Sequence, residues 1–289
     1  MDTDVNQLKR SFTRAVLWLL LLLVIATGTT FAWFTLTGIN HTNVTPMAGA
    51  VSKGGSTLLI SNSEEGPFDK TCELVLKGNP ESLKPLSTDQ LEHFFRAVAQ
   101  NKNGIASLYA NADSALDQDA VHGTVYLQCL NAPCKVYFNR EELKLGSDAQ
   151  ALAAMRLGMK ITSHEGTRSL IWKLDEMGST GGAETRRTIS QDSAVVSTIS
   201  DSGQPTYVTD PSQEISAYMA EAGDTEGTYK DGSQALMQLD ADEIATVEYW
   251  LYLEGCDDQC VNAVQSRASE LQFAFVGTDV EEDTKGETS

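Results

Sequence analysis

Five cysteines offer the most specific chemistry in the chain: Cys72, Cys129, Cys134, Cys256 and Cys260. Cys129 and Cys134 flank Leu130-Asn131-Ala132-Pro133 and end the two arms of an expected hairpin. Facing Cβ atoms of a hairpin come within bonding range, so a disulfide is expected there. Closing so small a loop stabilises by ~2 kcal/mol in the chain-entropy model. Cys256 and Cys260 bracket Asp257-Asp258-Gln259 and are expected to clamp that loop by pairing with each other. Cys72 is then the odd thiol, either a small buried hydrophobe or free. A four-thiolate metal site is the alternative, but both spacings are longer than the usual two residues.

Oxygen ligands suggest a second chemistry. Glu254, Asp257 and Asp258 lie around the last cysteine pair, with Asn262 close behind. They make a weak Ca²⁺ candidate. No EF-hand spacing supports it, so side-chain-to-backbone bonds that organise the loop are the stronger reading. Asp240-Ala241-Asp242-Glu243 reads as a solvated turn before a strand. His41, His93, His122 and His164 are scattered and form no HExxH pattern. No Gly-x-Ser-x-Gly, phosphate-binding glycine loop or dinucleotide fingerprint occurs. No catalytic residue and no cofactor other than that Ca²⁺ candidate is expected, and the chain is not read as an enzyme.

Charge and leader bound the setting. The chain has 289 residues and a net charge of −19, with its one local basic cluster at Lys9, Arg10 and Arg14. Phosphate backbones need clustered cations, so nucleic acid is excluded as a partner. Ala15–Ala26 is a run of twelve apolar residues. As a helix it spans ~18 Å, short of a hydrocarbon core of ~30 Å. That length suits a signal peptide. Thr30 and Ala32 occupy the −3 and −1 positions of a peptidase site, so cleavage is expected between Ala32 and Trp33. The competing reading is an uncleaved anchor from Ala15 to Ile39. Either way the basic flank stays inside and the remainder lies outside. Two formal glycosylation sequons occur, at Asn40 and Asn43.

Thr27-Gly28-Thr29-Thr30-Phe31-Ala32-Trp33-Phe34 resembles the exported segment of proteins cut by the SipW-type signal peptidase, the TasA/camelysin family of Gram-positive bacteria. Tyr249–Asn262 is similar to the penultimate strand and following loop of clostridial surface proteins with such a leader. Between the two, the likeness is one of strand pattern. The resemblance implies export to the cell surface and fibres built by donor-strand exchange, as in a biofilm matrix. It also imports the idea of a camelysin-like metallopeptidase, which no zinc-ligand pattern supports.

The elements that would position these residues are mostly strands. Gly123–Cys129 and Lys135–Phe138 form the expected hairpin. Met155, Leu157, Met159 and Ile161 alternate with polar residues, as in a half-buried strand. Ser169–Leu174, Thr246–Glu254 and Leu271–Val276 complete the set. One helix is predicted over residues 87–102: Ser87 and Gln90 form a capping box, and Leu86 and Leu91 a hydrophobic staple. A weaker helix is predicted over 212–222. Residues 177–206 and 223–234 are polar and read as long loops. The expected fold is mainly β, a β-sandwich or jelly-roll with one or two inserted helices, behind an N-terminal signal or anchor helix. Its expected parts are a leader (1–32), one exported domain (33–276) and a disordered acidic tail (277–289).

Three functions are expected. The first is a structural surface protein, a fibre subunit whose new N-terminus donates Trp33, Phe34, Leu36 and Ile39 to the next copy as a strand. The second is a membrane-tethered monomeric binding or adhesion module. The third is the metallopeptidase.

Overall fold

The computed structural model describes residues 47–52, 56–78, 83–100, 106–145, 149–174, 194–222, 229–257, 260 and 272–280. The leader, the cleavage site at Ala32 and Trp33, the donor residues Phe34, Leu36 and Ile39, Asp258 and the last nine residues lie outside them.

The chain is mainly β. The strands in order are β1 (Met47–Ser52), β2 (Thr57–Ser61), β3 (Thr71–Glu73), β4 (Pro85–Leu86), β5 (Phe95–Gln100) and β6 (Ala106–Asn111). After a 3-10 turn (Asp113–Ala115) and a one-turn helix (Leu116–Asp119) come β7 (Val121–Leu130) and β8 (Cys134–Asn139). A short helix (Ala149–Ala154) leads into β9 (Met155–Ser163) and β10 (Gly166–Lys173). Next come β11 (Ala194–Ile199), β12 (Pro205–Thr209), β13 (Gln213–Glu214), β14 (Met219–Ala222), β15 (Tyr229–Lys230) and β16 (Met237–Leu239). The last two are β17 (Ile244–Glu254) and β18 (Gln272–Asp279).

Two seven-stranded sheets form the body. The first has the order β15-β14-β8-β18-β1-β3, with β16 beside β8. The second runs β13-β10-β9-β17-β7-β2, with β4 beside β17. Strand alternation explains why the sheets face each other. Val247, Tyr249, Leu251 and Leu253 of β17 and Met155, Leu157, Met159 and Ile161 of β9 point to one side. They share a core with Val136 and Phe138 of β8 and Phe273 and Phe275 of β18. Aromatic rings bridge the layers: Tyr249 meets Phe273 at 4.7 Å and Trp172 meets Phe138 at 5.2 Å, both edge to face.

β1 joins β18 in parallel, with Met47 opposite Gln272 and Ser52 opposite Gly277. Its other side pairs antiparallel with β3.

The outer face of the second sheet is also covered. Leu86, Leu91, Phe94, Ala112 and Ala120 pack there against Ile171 and Tyr252. Phe94 meets the Tyr252 ring edge-on at 5.6 Å. A Cβ at Gly158 would come within 2.4 Å of Leu91 Cδ2, so glycine makes room for this cover. Two hairpins, β5–β6 and β11–β12, extend the layer. Phe95, Tyr109 and Val196 from these hairpins are buried against Cys256.

Several expectations are corrected. Among the described residues of 87–102 there is no helix. Ser87 makes a two-way backbone bridge with Phe95, at 2.8 and 2.9 Å, and β5 begins there. Thr88 Oγ1, not Ser87, accepts the amide of Leu91 at 3.1 Å. Leu91 has φ +62°, a conformation that cannot continue a right-handed helix. The apolar spacing of Leu86, Leu91 and Phe94 reflects a loop laid over a sheet.

The expected hairpin is a corner. β7 belongs to the second sheet and β8 to the first, so these neighbours in sequence do not pair. Asn131, at φ +73°, makes the bend. The expected helix over 212–222 is instead β13, a 3-10 turn (Ile215–Tyr218) and β14. The loop expected over 177–206 contains the paired strands β11 and β12, and the one over 223–234 contains β15. The tail begins later than expected, because Gly277–Asp279 complete β18 beside β8. β9 is buried on both faces, not one, since the outer layer covers Arg156 and Gly158.

Candidate functional site

The outer layer encloses a cluster of charged side chains on the second sheet. Arg156 points outward from β9, is 2% exposed, and lies opposite Tyr252 of β17. Glu254 is two residues further along β17, on the same face, and is equally buried. The Arg156 Nη2 donates to Asp257 Oδ2 at 2.5 Å and to Asp210 Oδ2 at 3.4 Å. Its Nη1 donates to the carbonyl of Met155 at 3.1 Å. Lys173 of β10, opposite Arg156, reaches within 3.8 Å of Asp210.

Local sequence explains how the carboxylates are held. Asp210 Oδ1 accepts the amide and the hydroxyl of Ser212, so Asp210-Pro211-Ser212 forms a side-chain-capped turn instead of a helix start. Glu254 Oε1 accepts the amide of Cys256 at 3.0 Å, and the amide of Asp257 bonds the Glu254 carbonyl at 3.1 Å. This bears out the loop-organising role expected of Glu254.

Electrostatics divides the acids into two kinds. Burial opposes ionisation of Asp210, but Arg156, Ser212 and Lys173 outweigh it and hold its pKa below the usual value. Burial also opposes the charge on Arg156, and Asp257, Asp210 and Glu254 outweigh it and raise its pKa. For Glu254 burial wins despite Arg156, and its carboxyl is pushed up to about 8. Burial and pairing therefore favour a charged Arg156–Asp210 pair beside a Glu254 carboxyl drawn toward its neutral form. Arg156 Nε, Tyr252 OH and Glu254 Oε2 have no hydrogen-bond partner among the described residues.

The Asp257 carboxylate turns onto the Arg156 guanidinium and Glu254 Oε1 accepts the Cys256 amide, while Asp258, the third residue of the Ca²⁺ candidate, lies outside the described residues. Their chemistry is structural: one buried arginine ties β9 to the turn after β12 and the loop after β17.

The expected disulfides, Cys129–Cys134 and Cys256–Cys260, are not formed. Cys129 and Cys134 meet across the corner between the sheets. Hydrogen bonding between them lowers the pKa of Cys129 and raises that of Cys134. Cys129 Sγ also donates to the Ala132 carbonyl at 3.1 Å. Cys256 contacts Ser87 Oγ and Tyr109 OH, each at 3.5 Å, instead of bridging to Cys260. Burial pushes its thiol up to about 12. Cys72 packs half-buried against the main core, and burial raises its thiol to about 11.

Asp119 and its partners were not singled out by sequence. Asp119 is fully buried and takes Lys84 at 2.8 Å and Arg96 at 2.7 Å. This second ionic knot fastens the outer layer to itself. Three histidines each meet a carboxylate: His93 meets Asp113 at 2.9 Å, His122 meets Asp117 at 2.7 Å and His164 meets Glu243 at 2.5 Å. His41 lies outside the described residues. Asp240–Glu243 is the turn expected before a strand, with Asp242 at φ +65°. No described helix is long and apolar enough to cross a membrane.

Comparison with protein-family models, with curated proteins and with solved structures finds no match to this chain.

Proposed function

We propose that the chain is an exported cell-surface structural protein, a subunit of extracellular fibres joined through its N-terminal segment. The observation that carries this reading is the placement of β1. The first described strand runs parallel to the last, between β18 and β3. A parallel neighbour cannot be delivered by a tight turn. The sheet therefore accepts a strand from the N-terminal side of the chain as a separate insertion. Only seven residues separate Ile39 from Met47. Extended, they span ~25 Å, enough for Trp33–Ile39 to reach another copy.

The terminal strands of the first sheet, β3 and β15, have three and two residues. Short edges restrain indiscriminate pairing, so growth needs a dedicated donor. Trp33-Phe34-Thr35-Leu36-Thr37-Gly38-Ile39 has the alternation for that role, Phe34 and Leu36 filling a groove while the backbone adds a strand. Two facing sheets with a common core support a β-sandwich body. The leader's resemblance to the TasA/camelysin family supports the same reading.

The test is to express the full chain in a Gram-positive host with a SipW-type peptidase and shear the surface material. Fibres beginning at Trp33 are expected, and deletion of residues 33–39 should leave folded monomers. Fibres that persist without 33–39 overturn the donor segment. Monomers that retain residues 1–32 in the membrane establish the tethered module instead.

A further inference from the structure

We propose that His164, Asp240 and Glu243 form a binding site for one divalent first-row transition ion, with Zn²⁺ as its probe. The site lies away from the Glu254 loop and does not depend on fibre assembly. Its residues come from two turns, 163–166 between β9 and β10 and 240–243 between β16 and β17. β9 pairs with β17, Thr162 lying opposite Thr246, so the ladder brings the turns together at one end of the second sheet.

An imidazole nitrogen and one oxygen from each carboxylate lie within 4.8 Å of one another. Ligands of a tetrahedral Zn²⁺ sit ~2.0–2.2 Å from the ion and therefore ~3.4 Å apart. His164 Nδ1 and Glu243 Oε2, now 2.5 Å apart, must open by roughly 1 Å to admit the ion, and the set is closed by a swing of Asp240. Its side chain is 64% exposed and, among the described residues, meets only the imidazole, at 3.9 Å. Glu243 is the fixed member. Its Oε1 accepts the amide of His164 and its Oε2 that of Asp240, both at 2.7 Å. The bond between His164 Nδ1 and Glu243 Oε2 shows that nitrogen and oxygen already share one small cation, a proton. The metal ion takes its place and the proton leaves to solvent.

Charge and donor type then select the ion. No described lysine or arginine pairs with Asp240 or Glu243, Glu165 adds a third acid beside His164, and the whole chain carries −19. Such a field concentrates cations. One imidazole among oxygens favours Zn²⁺ and its neighbours over Ca²⁺ or Mg²⁺, which prefer oxygen alone. Three protein ligands leave the remaining position to water. The ion then acts as a clip between two turns.

The test is calorimetric titration of the chelator-treated full chain with ZnCl₂ and, separately, CaCl₂. Saturable one-to-one binding of Zn²⁺ without matching Ca²⁺ binding is expected. H164A and D240A should each weaken it about tenfold or more, while melting without metal as the parent does. Absence of saturable Zn²⁺ binding, equal Ca²⁺ binding, or unchanged binding in either variant overturns the site.

Discussion

Glu254 and Arg156 show how a covered sheet face makes single residues decisive. The Glu254 carboxyl sits at about 8 in the fold, against an ordinary value near 4.5. Between those values the folded protein keeps a proton that the unfolded chain releases. Stability therefore falls as pH rises from about 5 to about 8, by an amount on the order of a few kcal/mol, then levels off. The groups facing Glu254 are Arg156, Asp210, Asp257, Ser87, Tyr252 and Cys256. Of these, Asp210 is held low, so its contribution is lost only in acid, outside that window. Glu254→Gln mimics the neutral acid and should flatten the slope of melting temperature against pH; an unchanged slope would show that Glu254 is ionised. Arg156→Met leaves the partly buried carboxylates of Asp210 and Asp257 without their cation. It should cost about 3–5 kcal/mol in urea unfolding, and a loss below about 1 kcal/mol would rule out a buried ion network. The bond from Glu254 to its own loop was legible in the sequence; the ion network around Arg156 was not. In an alternating strand a polar residue is assigned to solvent, and nothing near Arg156 in sequence announces a second layer above it.

At the scale of elements, the strands with a period of two were legible and the segments covering them were not. Tyr249, Leu251 and Leu253 point to the main core as their alternation requires. The same reasoning fails for the described part of 87–102, where Leu91, Phe94, Phe95 and Val98 match a helical stripe yet belong to a loop and to β5. A capping box fixes only a local turn; the sheet beneath decides whether the chain then coils into a helix or extends across it. The 129–134 hairpin failed for a related reason: a short turn between two strands serves a corner as well as a hairpin, and only pairing partners distinguish them. Pairing also explains Gly123, which lies opposite Tyr249. A Cβ there would meet the Tyr249 hydroxyl at 2.5 Å and the Val75 carbonyl at 2.9 Å. Gly123→Ala should therefore destabilise by about 1–3 kcal/mol in denaturant titration. A neutral result would mean that β7 and β17 are spaced more widely than described.

For the whole molecule, the mainly-β class was legible because strands of such length recur along the chain. A sandwich of two sheets was expected as well, but the third layer and the pairing of β1 with β18 were not legible, since long-range contacts leave no local signature. That pairing supports the proposed fibre role. A body that takes an N-terminal strand beside its C-terminal one is suited to link head to tail, with strongly acidic surfaces keeping unlinked copies apart. Electron microscopy of surface-sheared material from cells expressing the full chain or its 33–39 deletion tests this account most directly. The account predicts filaments from the full chain and folded single particles from the deletion. Filaments from both, or from neither, would contradict it.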